Sequence, residues 1–136
     1  MCGLAGFIGF ANNADLAQKA NKIQQHRGPD NQSVWHDDYL AFAHQRLSII
    51  DLSEAANQPF HKHNLVAIFN GEIYNYKELQ NKLRSEKKVE FKTSYDTEVV
   101  LEMFRNYGYD CLNHFLGMFA FAIYDKDNHD LFIVRD

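Results

Sequence analysis

Apolar residues along this chain come in short groups separated by polar turns, and their spacing changes character several times. Residues 3–10, GLAGFIGF, are apolar and glycine-bearing without helical spacing, which predicts a strand. Over 14–25, Leu16, Ala20 and Ile23 recur at helical intervals with Asn12 and Asn13 placed to cap, so a helix is predicted. HRGPD (26–30) ends it in a proline-bearing turn. Strands are predicted at 33–36 and 39–45, split by a turn at Asp37 and Asp38. LSIIDLS (47–53) reads as extended, and EAANQP as loop.

LVAIFN (65–70) reads as a buried strand that runs directly into GEIYNY. A helix over 75–85 starts on Asn75, with Glu78 three residues on as in a capping box and Tyr76, Leu79 and Leu83 inward. VEFKTS (89–94) alternates like a half-buried strand. Asp96 or Thr97 is expected to cap the next helix, which presents Val99, Val100, Met103, Phe104 and Tyr107 and closes at Gly108. MFAFAIYD (118–125) is apolar on both faces, so it is expected in an inner sheet with layers on either side. DKDNHD turns the chain back into LFIVRD, a strand that stops mid-pattern and suggests a longer protein.

Composition narrows the class. At 136 residues the chain is one domain, large enough to bury roughly two-thirds of its unfolded surface. Apolar residues at 46% supply a core, and the lack of repeats or low-complexity stretches argues against disorder and solenoids. A net charge of −4 leaves no electrostatic footprint for nucleic acid or an anionic membrane. No apolar run approaches the roughly 20 residues of a membrane span, and residues 1–15 lack a signal peptide's basic region. The cysteines, Cys2 and Cys111, form no disulfide framework, so a reducing, cytoplasmic setting is expected, with the Asn31-Gln32-Ser33 sequon a chance match.

Several residues carry candidate chemistry. With Met1 removed, Cys2 bears a thiol and a free α-amine, whose reference pKa of roughly 7.7–8.0 suits a general base for its own side chain. Taken alone, Cys2 reads better as a small apolar residue opening a strand. Asn70 and Gly71 could donate to an oxyanion, although an Asn-Gly pair by itself is more often a turn. Glu72 directly after them favours a site. Arg46 suits a carboxylate, and Glu72 and Asp96 an ammonium, so the three could clamp an amino acid; singly they read as surface charges or, for Asp96, a helix cap. His61 and His63 flank Lys62 in a polar loop and read as solvated, with no metal site expected. A Cys–His–Asp triad through His26 or His44 stays open on paper. Cys111 reads as buried and inert, and no Gly-rich phosphate loop occurs.

MCGLAGFIG, HRGPD, HQRLSIIDLS, QPF, FNGEIYNY, YDTEVVL and GMFAFAIYD run in order over the whole chain. Together they closely resemble the N-terminal glutaminase domain of glutamine-dependent asparagine synthetases, a branch of the class II (N-terminal nucleophile) amidotransferases. HRGPD, RLSI-D and NGEIYN favour this branch over the glucosamine-phosphate synthase and phosphoribosyl-amine-forming branches. The resemblance implies an α+β fold, the four-layer αββα sandwich. It implies that Cys2 attacks the glutamine side-chain amide, releasing ammonia and leaving a glutamyl thioester for water. Asn70 and Gly71 correspond to the oxyanion hole, Arg46 to the carboxylate ligand, and Glu72 and Asp96 to ammonium ligands. The backbone from Leu47 to Ile50 lines the same pocket, Arg27 supports the terminus, and His26 and His44 are structural. Tyr95 departs from the small residue usual before the Asp, and is expected to alter the pocket rim.

The resemblance also implies partners. Ammonia passes to an ATP-dependent synthetase domain, whose Ser- and Gly-rich pyrophosphate loop is not in these residues. ATP and Mg are therefore expected only there, with no cofactor in this domain. The family domain continues past Asp136, so 1–136 is expected to be an incomplete glutaminase domain. L-glutamine, the synthetase domain and a second copy in a homodimer are the expected partners. The alternative is an inert structural or interaction module, in which a retained Met1 acylates the Cys2 amine.

Overall fold

The computed structural model describes residues 2–49 and 53–136. β1 (Gly3–Ile8), β2 (Asn31–His36) and β3 (Leu40–Arg46) form an antiparallel sheet in the order β1-β3-β2. β4 (Phe60–Lys62), β5 (Leu65–Ile73), β6 (Gly117–Asp125) and β7 (Asp130–Arg135) form a second antiparallel sheet in that order. Period-two alternation gives each inner strand two apolar faces. Leu40 and Phe42 of β3 meet Val66 and Ile68 of β5 and Ala122 and Tyr124 of β6 between the sheets. Phe69, Phe121 and Ile123 point the other way, onto α2 (Tyr76–Lys87) and α3 (Asp96–Tyr107). α1 (Asn13–Ile23) covers the first sheet, with Ala17 against Ala41 and Ala43. The result is the four-layer αββα sandwich, and the doubly apolar segment at 118–125 is its inner strand β6.

Most predicted elements form within a few residues of their expected bounds, but several details differ for physical reasons. α1 turns a different face inward: Asn13, Ala17 and Asn21 are buried, while Ile23 is 76% exposed. The two asparagines tolerate burial because Asn13 Nδ2 donates to Tyr39 O at 2.9 Å and Asn21 Nδ2 to Ser33 O at 3.0 Å. The expected Asn75 capping box does not form; that amide donates to His114 O and accepts from Leu116 N–H. Residues 89–94 make no strand. Their Lys92 and Thr93 N–H groups donate to the Glu98 carboxylate, which removes them from any ladder. Asp96 is not a cap but the first residue of α3, with Tyr95 at the cap position. β4 and the 3-10 turns Gln25–Arg27 and Glu54–Ala56, three residues each, are too short to show a period, and a further 3-10 segment, Gly108–His114, follows α3. Of the extended 47–53 segment, 50–52 lie outside the described residues.

Candidate active site

Cys2 stands just before β1, and its thiol rests on the backbone that leaves β3. Leu47 N–H donates to Sγ at 3.4 Å, and Sγ lies 3.8 Å from Leu47 O. The next amide, Ser48 N–H, donates to Asp30 Oδ2 at 2.7 Å, while Asp30 N–H donates to Arg46 O at 3.1 Å. The HRGPD turn thus grips the segment that seats the thiol. Asp30, in the sequence only one residue of that turn, holds the backbone beneath the thiol through these two hydrogen bonds. Arg27 lies close by: a Cβ added to Gly3 would stand 3.1 Å from Arg27 Cβ.

Cys2, Leu47, Asn70, Gly71 and Glu72 line one pocket of about 100 Å³, together with Ile49, Tyr95 and Met118. The Asn-Gly pair is not a turn. β5 runs through it to Ile73, pairing Asn70 with Ala120 and Gly71 with Phe119. Gly71 has φ +146°, and a Cβ there would strike Met118 O and stand 2.7 Å from Phe119 Cα, so no side chain fits. The preceding residue is pinned twice: Phe69 N–H donates to Gln58 Oε1 at 2.6 Å, and Phe69 O lies 3.3 Å from His44 Nε2. Asn70 therefore extends from rigid strand into the pocket wall. Its Oδ1 is buried with no hydrogen-bond partner among the described residues.

Arg46 and Asp96 are buried beside the pocket but do not line it. Arg46 Nη1 donates to Ser53 O at 2.9 Å and to Asn57 Oδ1 at 2.7 Å. Its guanidinium carbon lies 5.8 Å from the centroid of the Tyr95 ring. Asp96 Oδ2 accepts Ile73 N–H at 3.0 Å. Burial pushes the Asp96 carboxyl up to about 6; backbone N–H groups pull it back, and the Glu72 charge adds to the rise. Burial raises the Tyr95 phenol above its ordinary value, with Asp96 and Cys2 acting in the same direction and Arg46 against them. Tyr95 thus lines the pocket with Cys2 and Glu72 and also lies against Arg46. Ile50 lies outside the described residues. Met118 in the wall carried no signal in the sequence; Tyr95 did, as the odd residue before Asp96.

A family model for the glutamine amidotransferase domain matches residues 1–136. The chain belongs to the glutamine amidotransferase family. Among its relatives, asparagine synthetase (glutamine-hydrolyzing) 1 of Bacillus subtilis is 41% identical over 98% of this chain and 22% of its own length. Asparagine synthetase (glutamine-hydrolyzing) 2 of the same organism is 39% identical over 100% of the chain and 19% of its own length. Amidase chry2 of Gibberella zeae is 35% identical over 100% of the chain and 22% of its own length. The chain therefore spans about a fifth of the length of these curated relatives.

The other candidate groups of this amidotransferase domain lie elsewhere. His44 sits between the sheets; burial drives it down to about 4, so it is neutral at ordinary pH. His26 is exposed, with Nδ1 3.2 Å from Ile23 O. Neither histidine lines the Cys2 pocket. Lys62 bridges Glu98 and Glu102 at 2.8 and 2.7 Å, and His63 Nε2 lies 2.9 Å from Glu102 Oε1. Among the described residues no three His, Cys, Asp or Glu side chains group as metal ligands, and no helix is long and apolar enough to cross a membrane. Cys111 is fully buried, and burial, aided by Asp110, pushes its thiol up to about 12.

Proposed function

We propose that the chain hydrolyses L-glutamine to glutamate and ammonia at Cys2 and delivers the ammonia to an ATP-dependent synthetase domain that amidates aspartate or another carboxylate. The observation that supports this most is the meeting of the Cys2 thiol with Asn70, Gly71 and Glu72 in one pocket, since these segments lie far apart in the chain. With Met1 removed, the Cys2 α-amine takes the thiol proton as sulfur adds to the carboxamide carbon. Donors from Asn70 and Gly71 hold the oxyanion, a task in which a single donor is commonly worth about 10²–10³ in rate. Collapse of the adduct breaks the C–N bond; the amine returns its proton to the leaving nitrogen, releasing ammonia and a glutamyl thioester. Water, deprotonated by the same amine, then adds to the thioester, and glutamate and the thiol are regenerated. Arg46 holds the substrate carboxylate, and Glu72 and Asp96 its ammonium. ATP and Mg belong to the synthetase partner.

The test is ammonia release from L-glutamine, with intact mass confirming that the terminus begins at Cys2. Wild type is expected to turn over, and Cys2→Ala to fall to background. Equal release from both would overturn the assignment, as would a glutamine-shaped electrophile that labels Cys111 in place of Cys2.

A further inference from the structure

The candidate site is split at one side chain. The nucleophile, the Asn70–Gly71 wall and Glu72 line the pocket, while Arg46 and Asp96 do not; Tyr95, which lines it and is only 8% exposed, directly precedes Asp96 and lies against Arg46. Glu72, proposed for the substrate ammonium, lines the pocket with Cys2, whereas Arg46, proposed for the substrate carboxylate, does not. The cation that would bind the substrate carboxylate is already covered by an aromatic face, with the Arg46 guanidinium carbon 5.8 Å from the ring centroid. Tyr95 precedes α3 in extended backbone (φ −107°, ψ 143°).

We propose that Tyr95 is a specificity-determining gate whose ring closes Arg46 off from the Cys2 pocket, so that the substrate carboxylate reaches Arg46 only when the ring swings aside. This rests on the glutamine reading above and adds an order of events to it. The carboxamide docks in the pocket, the ring leaves the guanidinium, and the substrate carboxylate takes its place on Arg46. A closed gate lowers apparent affinity by the fraction of molecules that stand open; a gate open about a tenth of the time costs about tenfold.

The experiment compares alkylation of Cys2 by two reagents on the full chain, read by mass spectrometry. Chloroacetamide carries the carboxamide end alone; a chloroketone analogue of glutamine carries the α-amino and α-carboxyl groups as well. Tyr95→Ser is expected to raise the efficiency of labelling by the glutamine analogue about tenfold relative to chloroacetamide, while Tyr95→Phe keeps the wild-type ratio because the ring remains. Tyr95→Leu, which retains apolar fill with less reach, is expected to fall between them and serves should the serine variant fail to fold. A ratio that stays level or drops in Tyr95→Ser and Tyr95→Leu, with wild type still selective for the glutamine analogue, would show that the ring supports the substrate and would overturn the gate. If the analogue shows no preference for Cys2 in any variant and excess glutamine gives no protection, the glutamine reading itself falls, and the gate with it.

Discussion

At the scale of the single residue, Asp96 pairs a cost in stability with a proposed role in binding. Its side chain is fully buried, and its carboxyl is held at about 6 instead of 3.8, chiefly by burial. A group whose folded pKa is raised contributes stability that is fully present below its unfolded value and is lost as pH rises through the folded one. Asp96 therefore favours the fold below pH 3.8 and works against it above about pH 6. Asp96→Asn keeps an acceptor for Ile73 N–H and removes the charge. The variant is expected to be more stable than wild type at pH 7 by about 2 kcal/mol, with the difference closing on acidification, as urea unfolding across that pH range would show. Glutamine turnover is expected to fall at the same time, because the proposed ammonium ligand has lost its charge. A variant less stable than wild type at pH 7 would contradict this account.

At the scale of elements, the placement of α3 depends on a buried charge cluster. Lys62 of β4 reaches Glu98 at 2.8 Å and Glu102 at 2.7 Å, and the three side chains are 9%, 0% and 1% exposed. Burial raises the Glu98 carboxyl, but Lys62 and the N–H groups of Lys92 and Thr93 outweigh it and hold it below its usual value. The same carboxylate takes residues 92–93 out of the strand that their alternation predicts. Lys62→Ala would leave the buried Glu98 without its cation and Glu102 with only Arg105, 3.7 Å away, and His63, at an expected loss of about 3 kcal/mol. A group with a depressed pKa stabilises above its unfolded value, so the gap between variant and wild type should narrow as pH falls through the carboxylate range. Denaturant midpoints at pH 7 and pH 4 check both the size and the sign. α3 begins at Asp96 and follows Tyr95, so a shift of this helix should also reach the pocket.

At the scale of the whole molecule, the apolar layer between the sheets brings the separate segments of the site together. Phe42 is 1% exposed at its centre, beside Val66, Ile68, Ala122 and Tyr124, with Trp35 packed at its edge. Phe42→Ala is expected to cost about 3–5 kcal/mol. Because that layer joins both sheets, the fluorescence of Trp35 and the far-UV circular dichroism should fall in one shared transition with an unchanged slope. Two separated transitions would show that the sheets unfold independently.

The types of most elements were legible in the sequence because helix and strand periods are local. Residues 118–125, apolar on both faces, marked an inner strand with layers on either side; the four-layer αββα arrangement itself was what the resemblance implied. Local spacing could not tell which face α1 buries, because Asn13 and Asn21 turn inward only when Tyr39 O and Ser33 O stand ready to accept. Nor could it show that Glu98 would capture the amides of 92–93, or that Asp30 would hold the segment beneath the thiol. The sequence by itself named Cys2, Asn70, Gly71, Glu72, Arg46 and Asp96 as candidates. Only tertiary structure put four of them around one pocket and kept Arg46 and Asp96 out of its lining, with Tyr95 against Arg46. Residue types and their periods are written along the chain; which buried polar groups find partners, and which ring lies against them, is decided by contacts between segments far apart in it.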